Sequence, residues 1–342
     1  MTSTPPLKPC FVGIDTSNYT TSVGVVTCDE AGVPQVVANI KYPLPVKAGE
    51  RGLRQSDAVF AHIKNLPLAM ADLQKVIHEG GLDIHAVGYS ATPRDALDSY
   101  MPCFLAGKVA ATSLATGGIA HHPVPLYAFS HQSGHIMAAL YGSGALQVSG
   151  MLESPFLAFH VSGGTTEVVH VTPKSGGRVL DVALVGQGDD LHAGQVIDRI
   201  GVLMGLSFPC GKAMEELATQ YLSQNPPIKG LKVSVSEGIC HLSGLENMAT
   251  DLWRKTSDPA YVSAFVLSFI AKTLRRMTEQ VQSKLCDLAL PVVYAGGVMS
   301  NHLIRPTLSQ NTPWQTYFSD PAFAADNAAG TALLCALEHK ES

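Results

Sequence analysis

Charge is scarce in this chain. Asp, Glu, Lys and Arg make up 15% of 342 residues, against about 25% in an average soluble domain. Aromatics are sparse as well, at 7% with two Trp, so the 46% hydrophobic content is mostly small and aliphatic. That composition suits a tightly packed enzyme. The formal net charge of −5 supplies no overall positive field, so an RNA substrate would have to be held by a local patch or by a partner protein. Nowhere do 18 apolar residues run together, and the start MTSTPPLKPC lacks a basic segment followed by an apolar one. No signal peptide or membrane span is predicted. The seven cysteines (Cys10, Cys28, Cys103, Cys210, Cys240, Cys286 and Cys335) form no CxxC pair and are odd in number. Reduced thiols and a cytoplasmic location are therefore expected. There is no GxGxxG dinucleotide fingerprint, and no HExxH with its peptidase general base.

At roughly 150 residues per domain the length predicts two domains. Residues 1–150, completed by a closing helix within 321–342, are expected to form the first, and 151–320 the second. A strand, polar turn and strand are read over Phe11–Thr27, and the same pattern recurs where Phe156–Val161 and Thr166–Val171 flank Ser162-Gly163-Gly164-Thr165. Helical spacing marks Leu53–Leu73, Phe104–Thr116, His131–Tyr141 with Ser130 as N-cap, Ala193–Met204, Lys212–Leu222, Ala260–Leu285, Asn301–Leu308 and Ala324–His339. Further strands are expected at Ile84–Ser90, Pro291–Ala295 and Trp314–Phe318. The whole reads as mixed α/β with an internal pseudo-repeat.

His131 and His135 stand at i and i+4 of a predicted helix, so their rings project from one face about 40° apart, close enough to share a metal ion. A third ligand is needed, and Asp326 in Asp-Asn-Ala-Ala-Gly-Thr is the best candidate; His160 is a possible fourth. Two imidazoles and a carboxylate suit iron, zinc or manganese alike. The turns Asp15–Ser22 and Ser162–Thr166 offer backbone N–H groups and hydroxyls at small residues, as phosphate-cradling loops do. Gly296-Gly297, after a buried strand, could lie flat beneath a base or ribose, and Asp198 could accept hydrogen bonds from ribose hydroxyls. Each of these features also has an ordinary structural reading as a surface acid, a core histidine or a strand-joining turn.

Taken in order, seven segments resemble the TsaD family of tRNA threonylcarbamoyladenosine-forming transferases, formerly classed as O-sialoglycoprotein endopeptidases. They are GIDTSNYTTSVGVV from Gly13, GLRQSDAVFAHIKNLP from Gly52, HQSGH from His131, HVSGGTTEV from His160, GQVIDRIGVLMGLSFPCG from Gly194, YAGGVMSNHLIR from Tyr294 and FSDPAFAADNAAGTA from Phe318. The resemblance implies the actin-like ATPase (ASKHA) fold, two similar lobes with a nucleotide and metal cleft between them. It implies His131, His135 and Asp326 as ligands of one divalent metal, iron or zinc, and a Tyr at the place of His160 in archaeal relatives. It further implies ATP or an adenylate bound through Ser17, Ser162, Gly163, Gly164, Thr165, Thr166, Asp198, Gly211 and Asn301, with Asp15, Ser162 and Thr165 as catalytic residues. The implied reaction moves the threonylcarbamoyl group of threonylcarbamoyl-AMP onto N6 of the tRNA adenosine 3′ of the anticodon, with protein partners of that machinery and no membrane.

Three departures mark a divergent member. The usual Cys-Asp-Glu is Asn18-Tyr19-Thr20, the His or Asn of the second loop is Thr165, and a Gly-Pro-Gly-Leu run is replaced near Ala91-Thr92-Pro93-Arg94. They keep alive two alternatives: carbamoyl transfer to another acceptor by a paralogue, and a non-catalytic ATP-binding regulatory subunit.

Overall fold

The computed structural model describes residues 7–17, 19–45, 53–96, 98–117, 122–173, 179–285, 289–324 and 328–341. Asn18, Cys286 and Asp326 lie outside them. The chain divides into two compact units: Met1–Tyr141, Pro173–Asp181 and Phe323–Ser342 form one, and Gly142–Thr172 and Val182–Ala322 the other.

In the first unit β1 (Lys8–Ser17), β2 (Thr20–Cys28) and β3 (Pro34–Pro43) form an antiparallel meander. Beyond β1, β4 (Leu82–Thr92) and β5 (Leu126–Ser130) run parallel, giving the order β3-β2-β1-β4-β5 among the described residues. The helices are α1 (Gln55–Gly80), α2 (Phe104–Ala115) and α3 (His131–Gly142). The α1 helix continues past the predicted Leu73 and through Pro67, whose ring side is exposed, to an αL cap at Gly81. Burial of Ala58, His62, Leu66, Ala69 and Leu73 along one face holds the helix together despite the missing N–H.

A row of three glycines explains how the closing helix (Ala329–Glu341) seats on this sheet. Gly13 pairs with Gly24 on one side and Gly88 on the other. A methyl group on Gly13 would fall 2.3 Å from Ala332 N, and one on Gly24 2.6 Å from Ala328 O. The row is a groove in which helix backbone lies directly on strand backbone, and Ala328, Ala329, Ala332 and Ala336 are fully buried there.

The second unit repeats the topology. Its sheet runs β12-β11-β6-β7-β8-β10-β9, with β6 (Phe156–Val161), β7 (Thr166–Pro173), β8 (Leu180–Gly188), β9 (Val235–Ser236), β10 (Ile239–Cys240), β11 (Val292–Ala295) and β12 (Thr316–Phe318). The stretch β8-β7-β6-β11-β12 corresponds position by position to β3-β2-β1-β4-β5, with β6 and β7 antiparallel and β11 and β12 parallel to β6 as in the first unit. Its long helices are α4 (Ala193–Leu203), α5 (Gly211–Gln224), α6 (Ser243–Thr256) and α7 (Pro259–Leu285). The core stacks Phe159 on Tyr294 at 4.9 Å and Tyr294 on Phe318 at 5.4 Å, and the buried Tyr294 hydroxyl meets Thr278 Oγ1 at 2.8 Å. The predicted helix Asn301–Leu308 shrinks to Arg305–Ser309, because the Asn301 side chain takes the N–H groups of Leu303 and Ile304 and sets a turn instead.

Asp190 anchors α6 from a distance. Its carboxylate accepts the N–H groups of Leu242 at 2.7 Å and Ser243 at 3.0 Å, as well as that of Leu191. Partial burial pushes its carboxyl up, but these bonds outweigh that and hold it at about 2. Replacement by Ala is expected to cost about 1 kcal/mol in urea unfolding, the usual effect of losing a helix cap. Because the folded carboxyl titrates below the unfolded one, the difference from wild type should be full above about pH 4 and shrink as pH falls toward 2. A gap that does not narrow in acid would refute the charge-assisted cap.

Candidate functional site

The first group lies in the first unit, where β1 ends beside the start of α3. Ser130 caps α3 as expected, its Oγ accepting the Ser133 N–H at 3.0 Å. The divergent loop after β4 completes that end: Pro93 O accepts the Gln132 N–H, and Asp95 accepts the Ser130 and Ser133 hydroxyls at 2.8 and 2.9 Å. One turn apart on α3, His131 Nε2 and His135 Nε2 stand 2.9 Å from each other. Two bonds of about 2.0–2.1 Å from one ion span up to about 4 Å, so this pair fits a single metal. Among the described residues no third His, Cys, Asp or Glu joins them; Asp326 lies outside that set. The chain re-enters at Ala328, and a methyl group on Gly330 would fall 1.8 Å from Gly134 O, so the closing helix abuts α3 between the two histidines. His160 is on β6 in the second unit, half-buried.

Asp15 is enclosed at the end of β1. It is 1% exposed, and its oxygens accept from Ser17 N–H at 2.8 Å, Ser90 Oγ at 2.5 Å and His131 Nδ1 at 2.7 Å. Burial by itself pushes its carboxyl up; the His131 charge and the bonds from His131, Ser90 and Ser17 overcome this and hold it below the usual carboxylate range. Enclosed in this way, Asp15 holds the His131 ring. Ser17 is 4% exposed, with a buried hydroxyl that meets no partner among the described residues. His62, which sequence reasoning passed over, is fully buried beneath the same turn, its Nδ1 2.8 Å from Thr21 Oγ1. Burial lowers its pKa. Only its position in a helix-spaced buried face could have flagged it.

The second group lies wholly in the second unit. A cavity of about 870 Å³ is lined by Gly163, Asp198, Gly211 and Asn301 among others, a size suited to a nucleotide-sized ligand. Gly163 belongs to the β6–β7 turn, where Ser162 N–H donates to Thr165 O at 2.7 Å. That turn is bound to the start of α4: Gly194 N–H donates to Ser162 O at 3.1 Å and Ala193 N–H to Thr166 Oγ1 at 2.9 Å. The positive end of α4 thus stands at a turn of small residues, an arrangement that favours an anion. Thr166 is fully buried and serves that joint, while Ser162 and Thr165 are half-buried and Gly164 is exposed; these four are not among the side chains lining the cavity. Asp198 accepts the Cys210 N–H with one oxygen at 2.8 Å. Asn301 spends its carbonyl oxygen on its turn, which leaves its amide N–H groups to donate. Lys212, Glu215 and Glu216 also line the cavity, on the first turns of α5, and were not singled out from sequence because a charged helix face reads as solvated surface. Glu215 holds the Asn301 turn through the His302 N–H at 2.7 Å.

Burial first, then neighbouring acids, push Cys10 and Cys240 up to about 12 and Cys103 to about 11, which keeps them protonated and inert.

The repeated topology of the two sheets gives the chain an actin-like ATPase type of fold. The solved structure of T. kodakarensis HypF is similar, with a TM-score of 0.56 and 12% identity, covering 98% of this chain and 47% of that one; this likeness shows the fold alone. The family described as TsaD, tRNA N6-adenosine threonylcarbamoyltransferase, matches residues 50–333, and the chain belongs to that family. A tRNA N6-adenosine threonylcarbamoyltransferase of Gloeobacter violaceus is 31% identical over 258 residues, 73% of this chain and 69% of that protein. One of Streptococcus mutans is 28% identical over 347 residues, 97% of this chain and 93% of that protein.

Proposed function

We propose that this protein is an acyltransferase that moves the threonylcarbamoyl group from threonylcarbamoyl-AMP to N6 of the tRNA adenosine 3′ of the anticodon, in the cytoplasm, with one divalent metal, iron or zinc. The observation that carries the reading is the match to the transferase family over most of the chain. It is supported by the gathering of Gly163, Asp198, Gly211 and Asn301 in one cavity and by the spacing of His131 and His135.

In this reading Asp198 accepts from ribose hydroxyls, Asn301 donates to the adenine, and the Ser162–Thr166 turn with the start of α4 receives the phosphate of the leaving AMP. A bound metal would act as a Lewis acid toward phosphate or carbamoyl oxygen; His131, His135 and Asp326 would hold it. The chain's own part is positioning and charge stabilisation, which lets the weakly nucleophilic exocyclic amine attack the carbamoyl carbon as AMP departs. No covalent enzyme intermediate is needed. With a net charge of −5, partner proteins are expected to hold much of the tRNA. Among the described residues no helix is long and apolar enough to cross a membrane.

Mass spectrometry of nucleosides tests the assignment. Purified protein, with its partners, metal, threonylcarbamoyl-AMP and unmodified tRNA, should yield threonylcarbamoyladenosine in the digested tRNA. Release of AMP that proceeds equally well without tRNA, with no modified nucleoside formed, would instead support the second reading, carbamoyl transfer to another acceptor. Tyr19 and Thr20 motivate that alternative, since they follow β1 where the family resemblance implies acids, and Tyr19 is exposed.

A further inference from the structure

We propose that Thr331, Ser90 and Asp15 form a one-way hydrogen-bond relay that fixes His131 in its Nδ1–H tautomer and so prepares its Nε2 as a metal donor. The purpose of the relay rests on the metal reading above; its geometry does not.

Donor counting assigns the direction. Asp15 Oδ1 accepts from a backbone N–H, that of Ser17, which can only donate. Its Oδ2 lies 2.5 Å from Ser90 Oγ and 2.7 Å from His131 Nδ1. A carboxylate enclosed by those groups accepts from all of them, so Nδ1 of His131 carries a proton, in the neutral ring as in the charged one. Ser90 has one proton, given to Asp15. Thr331 Oγ1, 3.3 Å from Ser90 Oγ, must therefore donate its own. Protons point from Thr331 to Ser90 to Asp15, and from His131 to Asp15. A neutral imidazole protonated on Nδ1 keeps its lone pair on Nε2, the atom that stands 2.9 Å from His135 Nε2.

The three members of the relay are buried. Ser90 and Thr331 are fully buried, Asp15 is 1% exposed, and each sits on a different element, β4, the closing helix and β1. A methyl group on Gly134 would meet Thr331 Oγ1 at 3.1 Å, so the relay's first member also touches the turn of α3 between the histidines. Asp15 acts as a positioning residue. Carboxylates that orient ligating histidines typically contribute 10–100-fold to metal affinity.

Two measurements decide it. In metal-free protein labelled with ¹⁵N-histidine, long-range ¹⁵N–¹H spectra should show His131 as the Nδ1–H tautomer, and the S90A variant should convert part of it to Nε2–H. Chelator competition with Zn²⁺ should show affinity about 10–100-fold weaker in D15A and S90A, with a smaller loss in T331V. An Nε2–H tautomer in wild type, or unchanged Zn²⁺ affinity in S90A and T331V with circular dichroism intact, overturns the relay. If wild type binds no divalent metal, the metal assignment fails while the tautomer spectrum still decides the relay by itself.

Discussion

Alanine at His131 is expected to remove divalent-metal uptake and to lower acyl transfer by about 10²–10⁴-fold. The size follows from the several kcal/mol that a Lewis-acid ion contributes, at 1.36 kcal/mol per tenfold. His131 and His135 share one ion in this reading, their Nε2 atoms 2.9 Å apart, so H135A should match H131A. The double variant should lose little more, because groups acting through one unit are not additive. Metal analysis of the purified variants and single-turnover transfer check this. Stoichiometric metal retained in both single variants would remove the pair from the metal site. Equal and additive losses in activity would mean that the two rings act separately.

The largest structural effect is expected at Gly330. A methyl group there would meet Gly134 O at 1.8 Å, Gly134 C at 2.7 Å and Ala138 N at 2.9 Å, all backbone atoms of α3 that no rotamer change can move. The closing helix would have to lift from α3 and from the glycine row of β1, β2 and β4. Overpacking a well-filled core costs about 1–3 kcal/mol and occasionally more, and a backbone clash falls at the upper end or beyond. G330A should therefore lower urea-unfolding stability by about 3 kcal/mol or more. It should also weaken metal binding, because Thr331 and Ala328 move with it. Gly244 is the control: it lies in α6 with nothing within 4 Å of an added methyl, so G244A should be neutral or stabilise by up to about 1 kcal/mol. Equal effects of the two substitutions would show that the helix crossing is not the cause.

Elements whose pattern is local were legible in the sequence. The hairpins around Gly13–Ser22 and Ser162–Thr165, the helix from His131 and the long helix ending at Leu285 follow from apolar periodicity and turn residues that need no partner to be recognised. Strands β3 and β5, at the edges of their sheet, and β8, inside its own, were passed over, since their burial alternates or fades along the strand. Helix α6 was missed because its start is capped from Asp190, 53 residues before Ser243. Among the site residues, the closeness of the His131 and His135 rings was readable from i, i+4 spacing alone. The role of Asp15 was not: a carboxylate in a polar turn looks the same in sequence whether it faces a substrate or is walled in by Ser17, Ser90 and His131.

By itself the sequence determined residue types and their local geometry: two imidazoles one helical turn apart, small residues in the turns, and seven ordered segments of a transferase family. Which polar groups meet was decided only by tertiary structure. Ser90 and Thr331, 241 residues apart, share a hydrogen bond, and Gly13, Gly24 and Gly88 align into a groove, because strand pairing and helix docking bring together atoms that no periodicity along the chain relates.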